Sequence, residues 1–330
     1  MFPHSLGIRR VVENTLQALE QRENLQVVRL MPEPGAKLRA WRRKALAQAV
    51  GDQDLQGLHA FQSAFCMGAK VPSVQTVHEL SWLHGVKEKG SWKQRLWVGL
   101  GRRWAQGVVC ATRFAAQDYS QTAGSGPKPT IVPWGVASNF QPEPDDQDLS
   151  RLQEWSLRDT TFVFSPGGLR PKKRPVDLLR ALAKVSHSAH VVFTGSPCEH
   201  VPRLQALAQE LGMANRVHVL QDLPDPDLAC LYRHARATSV IARSEGFALP
   251  VLESLASDTL PLVTANSAQA EVADKHGLAV EGHGDAALQA ALESVLGTAP
   301  PDNPDGVAHA RTFTWEHTAA GIEKLWESLV

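Results

Sequence analysis

Two short apolar runs in the middle of the chain are typical of buried β-strands: residues 161–165, Thr-Phe-Val-Phe-Ser, and residues 190–194, His-Val-Val-Phe-Thr. Residues 175–185 between them carry apolar side chains at helical spacing. The same alternation continues with predicted helices at 201–211, 225–235 and 249–255 and predicted strands at 216–220, 239–241 and 261–263. Strands alternating with helices at this spacing predict right-handed βαβ units and a parallel sheet covered on both faces.

The first half of the chain shows the same pattern more weakly. It predicts strands at 25–30, 73–77, 108–110 and 130–132, and helices at 8–19, 38–50, 92–105 and 115–121. A polar, proline-bearing stretch without periodicity, residues 141–148, separates the two halves and is typical of a linker. We therefore predict an α/β protein with two doubly wound, Rossmann-like domains.

The composition is that of a soluble globular protein. The 330 residues include 34 Lys and Arg against 34 Asp and Glu, and 43% are hydrophobic, which gives no general electrostatic reason to bind nucleic acid. No apolar run approaches the roughly 18 residues that span a bilayer. The four cysteines lack the spacing of a zinc site, and residues 1–5 lack the start of a secretory signal, so we expect reduced thiols and a cytoplasmic protein.

The loop after the strand at 161–165 is rich in glycine and positive charge. In doubly wound folds ligands bind at the carboxyl ends of the strands, and the sequence contains neither the dinucleotide-binding nor the P-loop glycine pattern. Gly167 and Gly168 allow close backbone approach, and four of the five residues in 170–174 are cationic, which suits a diphosphate. On spacing alone, a solvated basic loop is an equal alternative.

The loop after the strand at 239–241 combines a helix start with two carboxylates. Pro250 suits the first turn of a helix, whose free N–H groups favour phosphate oxygens, and Gly246 allows a tight turn. Glu245 and Glu253 flank this turn and, as pure acceptors, suit the hydroxyl groups of a ribose or a sugar. Two glutamates at this spacing are also common as surface acids.

At these residues the chain resembles a known family. Residues 162–280 are similar to the donor-binding half of a retaining GT-B glycosyltransferase of glycosyltransferase family 4. Residues 245–253 match its E-G-F-G-L-P-x-x-E element, and residues 167–173 match its G-x-L-x-P-x-K loop. Further matches lie at residues 7–10 (G-I-x-R), 76–80 (T-V-H-D-L), 132–136 (V-P-N-G-V), 227–235 (D-L-x-x-L-Y-x-x-A), 270–272 (P-E-V) and 313–316 (F-S-W-E).

The resemblance implies the GT-B fold, with two Rossmann-like domains that face each other across a cleft. It implies an acceptor-side domain at 1–140, a linker at 141–157, a nucleotide-sugar-binding domain at 158–312 and a C-terminal helix at 313–330 that returns to the first domain. The chain begins where family members have already completed a first strand. We therefore expect that strand to be missing from the first sheet.

The resemblance also implies roles for individual residues. His78, Lys173 and Glu245 would be catalytic, with Lys173 on the donor diphosphate, Glu245 against the transferred sugar and His78 facing that sugar. Gly7 and Arg10 would lie on the acceptor side. The donor-binding residues would be Gly167, Gly168, Arg170, Lys173, Gly246, Phe247, Ala248, Leu249 and Glu253, with the ribose held by Glu253.

Two positions depart from the family pattern. Many members have arginine where Gly168 stands, so Arg170 is expected to supply that contact or the contact is lost. Trp134 replaces a common asparagine, with an effect that the sequence leaves open.

The function implied is transfer of a hexose from a nucleoside-diphosphate sugar to a glycan or lipid-linked acceptor, in cell-surface polysaccharide or glycoconjugate synthesis. We expect retained anomeric configuration and neither metal nor cofactor, because no metal-binding DxD element stands in a suitable loop. The alternative is a non-catalytic nucleotide-sugar-binding partner subunit with a degenerate acceptor domain. A GT-B epimerase or phosphorylase fits the Glu245–Glu253 element less well.

Residues 87–104 mix three tryptophans with six cations. Such a composition suits an anionic membrane surface, which would place the protein peripherally at the inner face of the membrane and favour a lipid-linked acceptor. The competing interpretation is a helix that packs Leu96, Leu100 and Trp104 into the first domain, and it is the one we favour.

Overall fold

A computed structural model describes residues 6–32, 35, 37, 41–63, 66, 68–87, 90–282, 284–299 and 303–330. The chain forms two compact units, each built around a parallel sheet. The first unit contains residues 1–135, 244–247 and 314–330, and the second contains residues 136–243 and 248–313. The expected α/β class with two doubly wound domains is confirmed.

In its described part, the first unit has a sheet of four parallel strands in the order β1-β2-β3-β4. The strands are β1 (Leu58–Ala60), β2 (Ser73–Thr76), β3 (Gly107–Cys110) and β4 (Pro129–Ile131), and the helices are α1 (Leu6–Leu19), α2 (Leu46–Asp52, continuing a π-helical turn at Trp41–Ala45), α3 (Ser91–Trp104) and α4 (Arg113–Ala123). Strands β2 and β3 are buried along their whole length, which makes them the centre of the unit.

The second unit has a sheet of six parallel strands, as far as the described residues show, in the order β10-β9-β8-β5-β6-β7. Its strands are β5 (Phe162–Ser165), β6 (His190–Gly195), β7 (Val217–Gln221), β8 (Ala237–Val240), β9 (Pro261–Thr264) and β10 (Leu278–Val280). Its helices are α5 (Asp148–Glu154), α6 (Pro175–Leu182), α7 (Val201–Glu210), α8 (Asp225–His234), α9 (Leu249–Ala256), α10 (Ala268–Ala273), α11 (Asp285–Leu296) and α12 (Pro304–Arg311). Leu179, Phe193 and Leu292 are fully buried in its core.

The last helix, α13 (Trp315–Glu327), belongs to the first unit. Thr314 caps it by accepting a hydrogen bond from the N–H of His317, and the Thr318 hydroxyl donates to the carbonyl of Pro133 at 2.7 Å. The face with Ile322 is buried, because α13 packs against α1. The helix expected at 313–330 therefore completes the core of the first unit.

One predicted strand is wrong. Residues 25–30 are extended but pair with no strand in the described part of the chain. Leu30 instead packs on a small cluster with Leu46 and Val50. The apolar pattern at residues 25–30 therefore indicates packing rather than a strand. The strand at the edge of the sheet is β1, which the sequence analysis missed.

The stretch expected to be a linker contains a helix held by a buried acid. Asp148 at the start of α5 is 1% exposed, and its two carboxylate oxygens accept hydrogen bonds from the Arg233 guanidinium, both at 2.8 Å. Burial raises the pKa of Asp148, but Arg233 and the backbone N–H of Asp145 outweigh it and lower that pKa to about 2. The helix is thereby fixed to α8, and the division between the units falls at residue 135 rather than in 141–157.

Helix α3 packs through a different face from the one predicted. Val98 is fully buried, and a Cβ on Gly101 would collide with the side chain of Gln75. Leu96 and Trp104, expected in the core, are 51% and 52% exposed, and so is Trp92 at 66%. The spacing of the large apolar residues predicted the wrong face of α3, because the close contact is made by Gly101. The preceding residues 88 and 89 lie outside the described part.

Candidate active site

The glycine-rich loop after β5 is pressed against the end of β6. Gly167 and Gly168 have φ angles of 87° and 95°, in the region that favours glycine. The N–H of Gly168 donates to the carbonyl of Thr194 at 2.7 Å, and a Cβ on Gly195 would collide with the backbone of Gly168. The close approach seen here is therefore between Gly168 and the end of β6.

The cations of this loop divide into two pairs. Lys172 and Arg174 are only 4% and 2% exposed, and Arg174 donates from Nε to a carboxylate oxygen of Asp177 at 2.8 Å. Arg170 is exposed and Lys173 is half-buried at the end of the 3₁₀ turn Pro171–Lys173. The Lys173 ammonium lies 3.4 Å from the position that a Cβ would take on Gly167, so it folds back over the glycine turn. Arg170 and Lys173 are the two cations of the loop that remain within reach of a ligand.

Within the second unit, the cationic loop lies beside the residues that follow β8. Strands β5 and β8 are neighbours, with Phe164 opposite Thr238, so their following loops leave the same edge of the sheet. The N–H of Arg243 donates to the carbonyl of Lys172 at 2.8 Å. This hydrogen bond joins the cationic loop directly to the segment that leads into α9.

The carbonyl at the end of β8 is held by two side chains that the sequence analysis missed. The Thr264 hydroxyl and the Gln269 side-chain amide both donate to the carbonyl of Ala242, each at 2.9 Å. Gln269 is fully buried near the start of α10, which Ser267 caps. The signal that could have identified Gln269 was a buried polar residue just after a capped helix start.

Helix α9 begins in a strained backbone conformation. Ala248, which directly precedes it, has φ 68° and ψ 73°, the left-handed region, at a position where the family pattern has glycine. Phe247, Ala248 and Leu249 are each less than 8% exposed, and Pro250 lies in the first turn. The helix start is therefore fixed in direction, and its N–H groups and dipole favour an anion.

Glu253 lies inside α9, and its carboxylate is oriented by a tyrosine. It is 4% exposed, and Oε2 accepts a hydrogen bond from the Tyr232 hydroxyl at 2.6 Å. The Tyr232 ring packs edge-on against Phe164 and Phe140, with centroid distances of 4.8 and 5.5 Å. The Tyr232 hydroxyl thus fixes the orientation of a buried carboxylate, a group that accepts hydrogen bonds from hydroxyl groups.

In the first unit, His78 follows β2 and is held by a carbonyl. Its Nε2 lies 3.1 Å from the carbonyl oxygen of Phe61, so Nε2 donates and Nδ1 carries the lone pair. Burial lowers the pKa of His78, and the Phe61 carbonyl opposes this only in part. The Trp134 ring lies 5.9 Å from the His78 ring. Trp134, which stands where the family pattern has asparagine, is therefore a neighbour of a neutral His78.

The segment Ser244–Phe247, which belongs to the first unit, lies on the His78 backbone. A Cβ on Gly246 would collide with the His78 carbonyl, and the Gly246 carbonyl accepts a hydrogen bond from the Thr112 hydroxyl at 2.8 Å. Thr112 also caps α4 by accepting from the N–H of Ala115. Only glycine fits here, and half-buried Glu245 directly precedes it.

The two residues expected on the acceptor side lie in a helix. Gly7 and Arg10 occupy the first turns of α1 rather than a loop; Gly7 is exposed and Arg10 is half-buried. The helical pattern simply begins earlier than the motif suggested.

Known proteins share sequence and fold with this chain. Residues 148–303 match the family model described as "Glycosyl transferases group 1". A relative from Nocardia farcinica named D-inositol 3-phosphate glycosyltransferase is 29% identical over 284 residues, which cover 78% of this chain and 62% of the relative. Across the first curated relatives the match spans 42% to 62% of their length, so this chain corresponds to less than two thirds of each.

Two solved structures share the fold. A sucrose-phosphate synthase from Thermosynechococcus elongatus superposes with a TM-score of 0.75 at 18% identity, covering 92% of this chain and 82% of the other. The Anabaena protein HepE, solved in complex with UDP and glucose, also gives 0.75 at 17% identity, covering 90% and 84%. The fold is GT-B, as expected from the sequence, and residues 148–303 are similar to the group 1 glycosyl transferases.

Proposed function

We propose that the protein transfers a hexose from a nucleoside-diphosphate sugar to a glycan or lipid-linked acceptor, with retained anomeric configuration and without a metal ion. The observation that carries the proposal is the hydrogen bond between Arg243 and Lys172, which joins the cationic glycine loop to the segment leading into α9. Along the chain, Lys173 directly follows Lys172, and the start of α9 follows Arg243. The Lys173 ammonium and the helix start both favour a diphosphate.

In the proposed reaction, the bond between the anomeric carbon and the β-phosphate oxygen breaks, and its electron pair leaves with the diphosphate. Lys173, Arg170 and the N–H groups of α9 would stabilise the charge that grows on this leaving group. The acceptor hydroxyl forms the new bond to the anomeric carbon on the face that the diphosphate leaves, and its proton passes to the departing diphosphate oxygen. Glu253 would hold the ribose hydroxyls, while His78 and Glu245 would contact the transferred sugar.

UDP is the first nucleotide to test, because HepE was solved with UDP and with UDP-glucose. We expect one of UDP, GDP and ADP to raise the melting temperature of the chain, since a ligand at 100 times its Kd stabilises by about 2.7 kcal/mol. Hydrolysis or transfer of the matching sugar nucleotide, followed by NMR of the anomeric proton, then tests turnover and configuration. Binding with no turnover toward any acceptor or water would favour the non-catalytic partner subunit.

We also propose that helix α3 contacts an anionic membrane surface. Trp92 and Leu96 are four residues apart and exposed on one face of the helix, and Trp104 is exposed at its C-terminal end. The helix carries four cations and no acidic residue. Aromatic and aliphatic side chains beside cations suit the headgroup region of an anionic bilayer.

The position of α3 supports this part of the proposal. The side chain of Gln94 donates to the carbonyl of Glu79, the residue after His78, at 2.7 Å. A membrane-bound α3 would therefore hold His78 close to the surface from which a lipid-linked acceptor is taken. No helix within the described residues is long and apolar enough to cross a membrane.

A further inference from the structure

A cluster of two histidines and one aspartate lies in the second unit, away from the candidate active site. Asp274 and His276 occupy the 3₁₀ turn Asp274–His276, and His309 lies on α12. One ligand atom from each lies within 4.8 Å of the other two. The turn leads into β10 and so lies at the amino end of the parallel sheet, whereas Lys173 follows β5 at the carboxyl end.

A backbone carbonyl holds the His309 ring in a defined orientation. Its Nε2 lies 2.9 Å from the carbonyl oxygen of Val272, so Nε2 donates and Nδ1 carries the lone pair. A backbone carbonyl that fixes the tautomer of a ligating histidine is a common partner in metal sites. Phe313 packs edge-on against the ring at 5.2 Å and limits its rotation.

The backbone around the cluster is fixed independently of any ion. Asn303 donates from its side-chain amide to the carbonyl of His276 and caps α12 by accepting from the N–H of Gly306. The N–H of Asn303 donates to Asp258 at 2.8 Å. The His276 and His309 rings stack with centroids 5.0 Å apart. Asn303 thus joins the turn to the start of α12 without any contribution from the Asp274, His276 and His309 side chains.

A second cluster, which also contains an aspartate and a histidine, does not suit a metal ion. Asp148, Cys230 and His234 also approach one another, but both oxygens of Asp148 accept hydrogen bonds from Arg233. Burial, with the nearby charge of Asp148, raises the pKa of the Cys230 thiol to about 12, which disfavours the thiolate that a metal needs. In the first cluster, by contrast, Asp274 is exposed and both histidines are half-buried, so an ion from solvent can reach them.

We propose that Asp274, His276 and His309 form a binding site for a divalent transition-metal ion such as Zn²⁺, which joins α12 to the turn before β10. Two imidazoles and one carboxylate are a zinc-type donor set rather than one for Mg²⁺ or Ca²⁺. Ligand atoms at about 2.0–2.2 Å from zinc lie closer together than 4.8 Å, so binding draws the three side chains inward. Water would complete the tetrahedral coordination.

The test is isothermal titration of the chelator-treated full chain with ZnCl₂ near pH 7.5, where imidazole is neutral. We expect one site whose affinity falls by at least about tenfold in both H276Q and D274N, with a zinc-dependent rise in melting temperature that both variants lose. Asp274 is exposed, so D274N is expected to fold even if H276Q does not. Co²⁺ in place of Zn²⁺ should give visible absorption bands that D274N removes.

H234Q is the matched control, since His234 belongs to the rejected cluster. Its zinc affinity should equal that of the wild type. The proposal is overturned if the wild type binds no zinc, if H276Q and D274N bind it as tightly as the wild type, or if H234Q removes the site. None of these outcomes depends on glycosyl transfer.

Discussion

At the residue scale, Ala248 stores backbone strain at the start of α9. Its φ of 68° costs an L-residue roughly 1–2 kcal/mol, while glycine loses more entropy on folding, by about 0.5–1 kcal/mol. We expect A248G to raise the free energy of unfolding by about 0.5–1 kcal/mol, measured by urea denaturation. An unchanged or lower value would mean that the alanine methyl group contributes packing that outweighs the strain.

Gly168 allows the converse experiment. Its φ is 95°, and a Cβ there would meet no atom within 4 Å, so G168A tests conformational strain without a steric clash. We expect a loss of about 1–2 kcal/mol in urea denaturation. G7A, in a helix and equally open, should not destabilise the protein. Equal stabilities of G168A and G7A would contradict the expected strain.

Substitutions of Tyr232 and Glu253, which form a hydrogen-bonded pair, should weaken nucleotide binding to different extents. E253A removes the carboxylate that we propose accepts from the ribose hydroxyls, and it should weaken nucleotide binding by about 1–3 kcal/mol. Y232F keeps the carboxylate but removes the 2.6 Å hydrogen bond that orients it, so we expect a smaller loss of affinity in calorimetry. Affinity unaffected by E253A would exclude this carboxylate from the nucleotide site.

At the scale of the elements, the edge strand β1 should confer acid sensitivity. His59 lies on β1, stacks on Phe61 and pairs through Nε2 with the Thr76 hydroxyl at 2.9 Å. Burial, with a smaller contribution from His78, lowers the pKa of His59 to about 3. Between about pH 6.5 and pH 3 the unfolded chain therefore binds a proton that the folded chain does not.

This difference predicts that stability is full above about pH 6.5 and is lost as the pH falls toward 3. The free energy of unfolding of the wild type relative to H59F should change with a slope of up to about 1.4 kcal/mol per pH unit in this range. Chemical denaturation at a series of pH values measures it. Parallel curves for the two proteins would contradict the lowered pKa.

Helix α3 gives the prediction for membrane contact. The double variant W92A/W104A changes two exposed side chains, so it should keep the melting temperature but bind vesicles with anionic lipid at least about tenfold more weakly. V98A is the matched control, because Val98 is fully buried: it should lower the melting temperature. Sedimentation with anionic and with neutral vesicles measures binding. Wild-type protein that stays in solution with both would refute the proposal.

The elements also show what the sequence could predict. Strands β5, β6 and β8 are β-branched or aromatic runs buried on both faces, and their predicted positions agree with the structure to within two residues. Strand β1 is three residues long and only half-buried, so it leaves little pattern. Glycines and charges mark the two candidate loops in the sequence, whereas the Arg243–Lys172 hydrogen bond involves backbone atoms that have no sequence signal.

At the scale of the whole molecule, the chain's last helix stabilises the unit that contains the first residues. Ile322 is fully buried on α13, so I322A should destabilise the first unit by about 2–5 kcal/mol. Its nucleotide affinity, which the proposal assigns to Lys173 and Glu253 of the second unit, should fall little at temperatures where I322A is folded. Calorimetry of unfolding and of nucleotide binding separates the two effects. A large loss of affinity in the folded variant would contradict that assignment.

The most direct test of the account is the affinity of a nucleoside diphosphate for K173A and K184A. Lys184 is a surface lysine paired with Asp285 at 3.6 Å, which makes it a control of equal charge. With whichever of UDP, GDP and ADP binds the wild type, we expect K173A to weaken binding at least about tenfold and K184A to leave it unchanged. Equal affinities for wild type and K173A would contradict the claim that the loops after β5 and β8 hold the diphosphate.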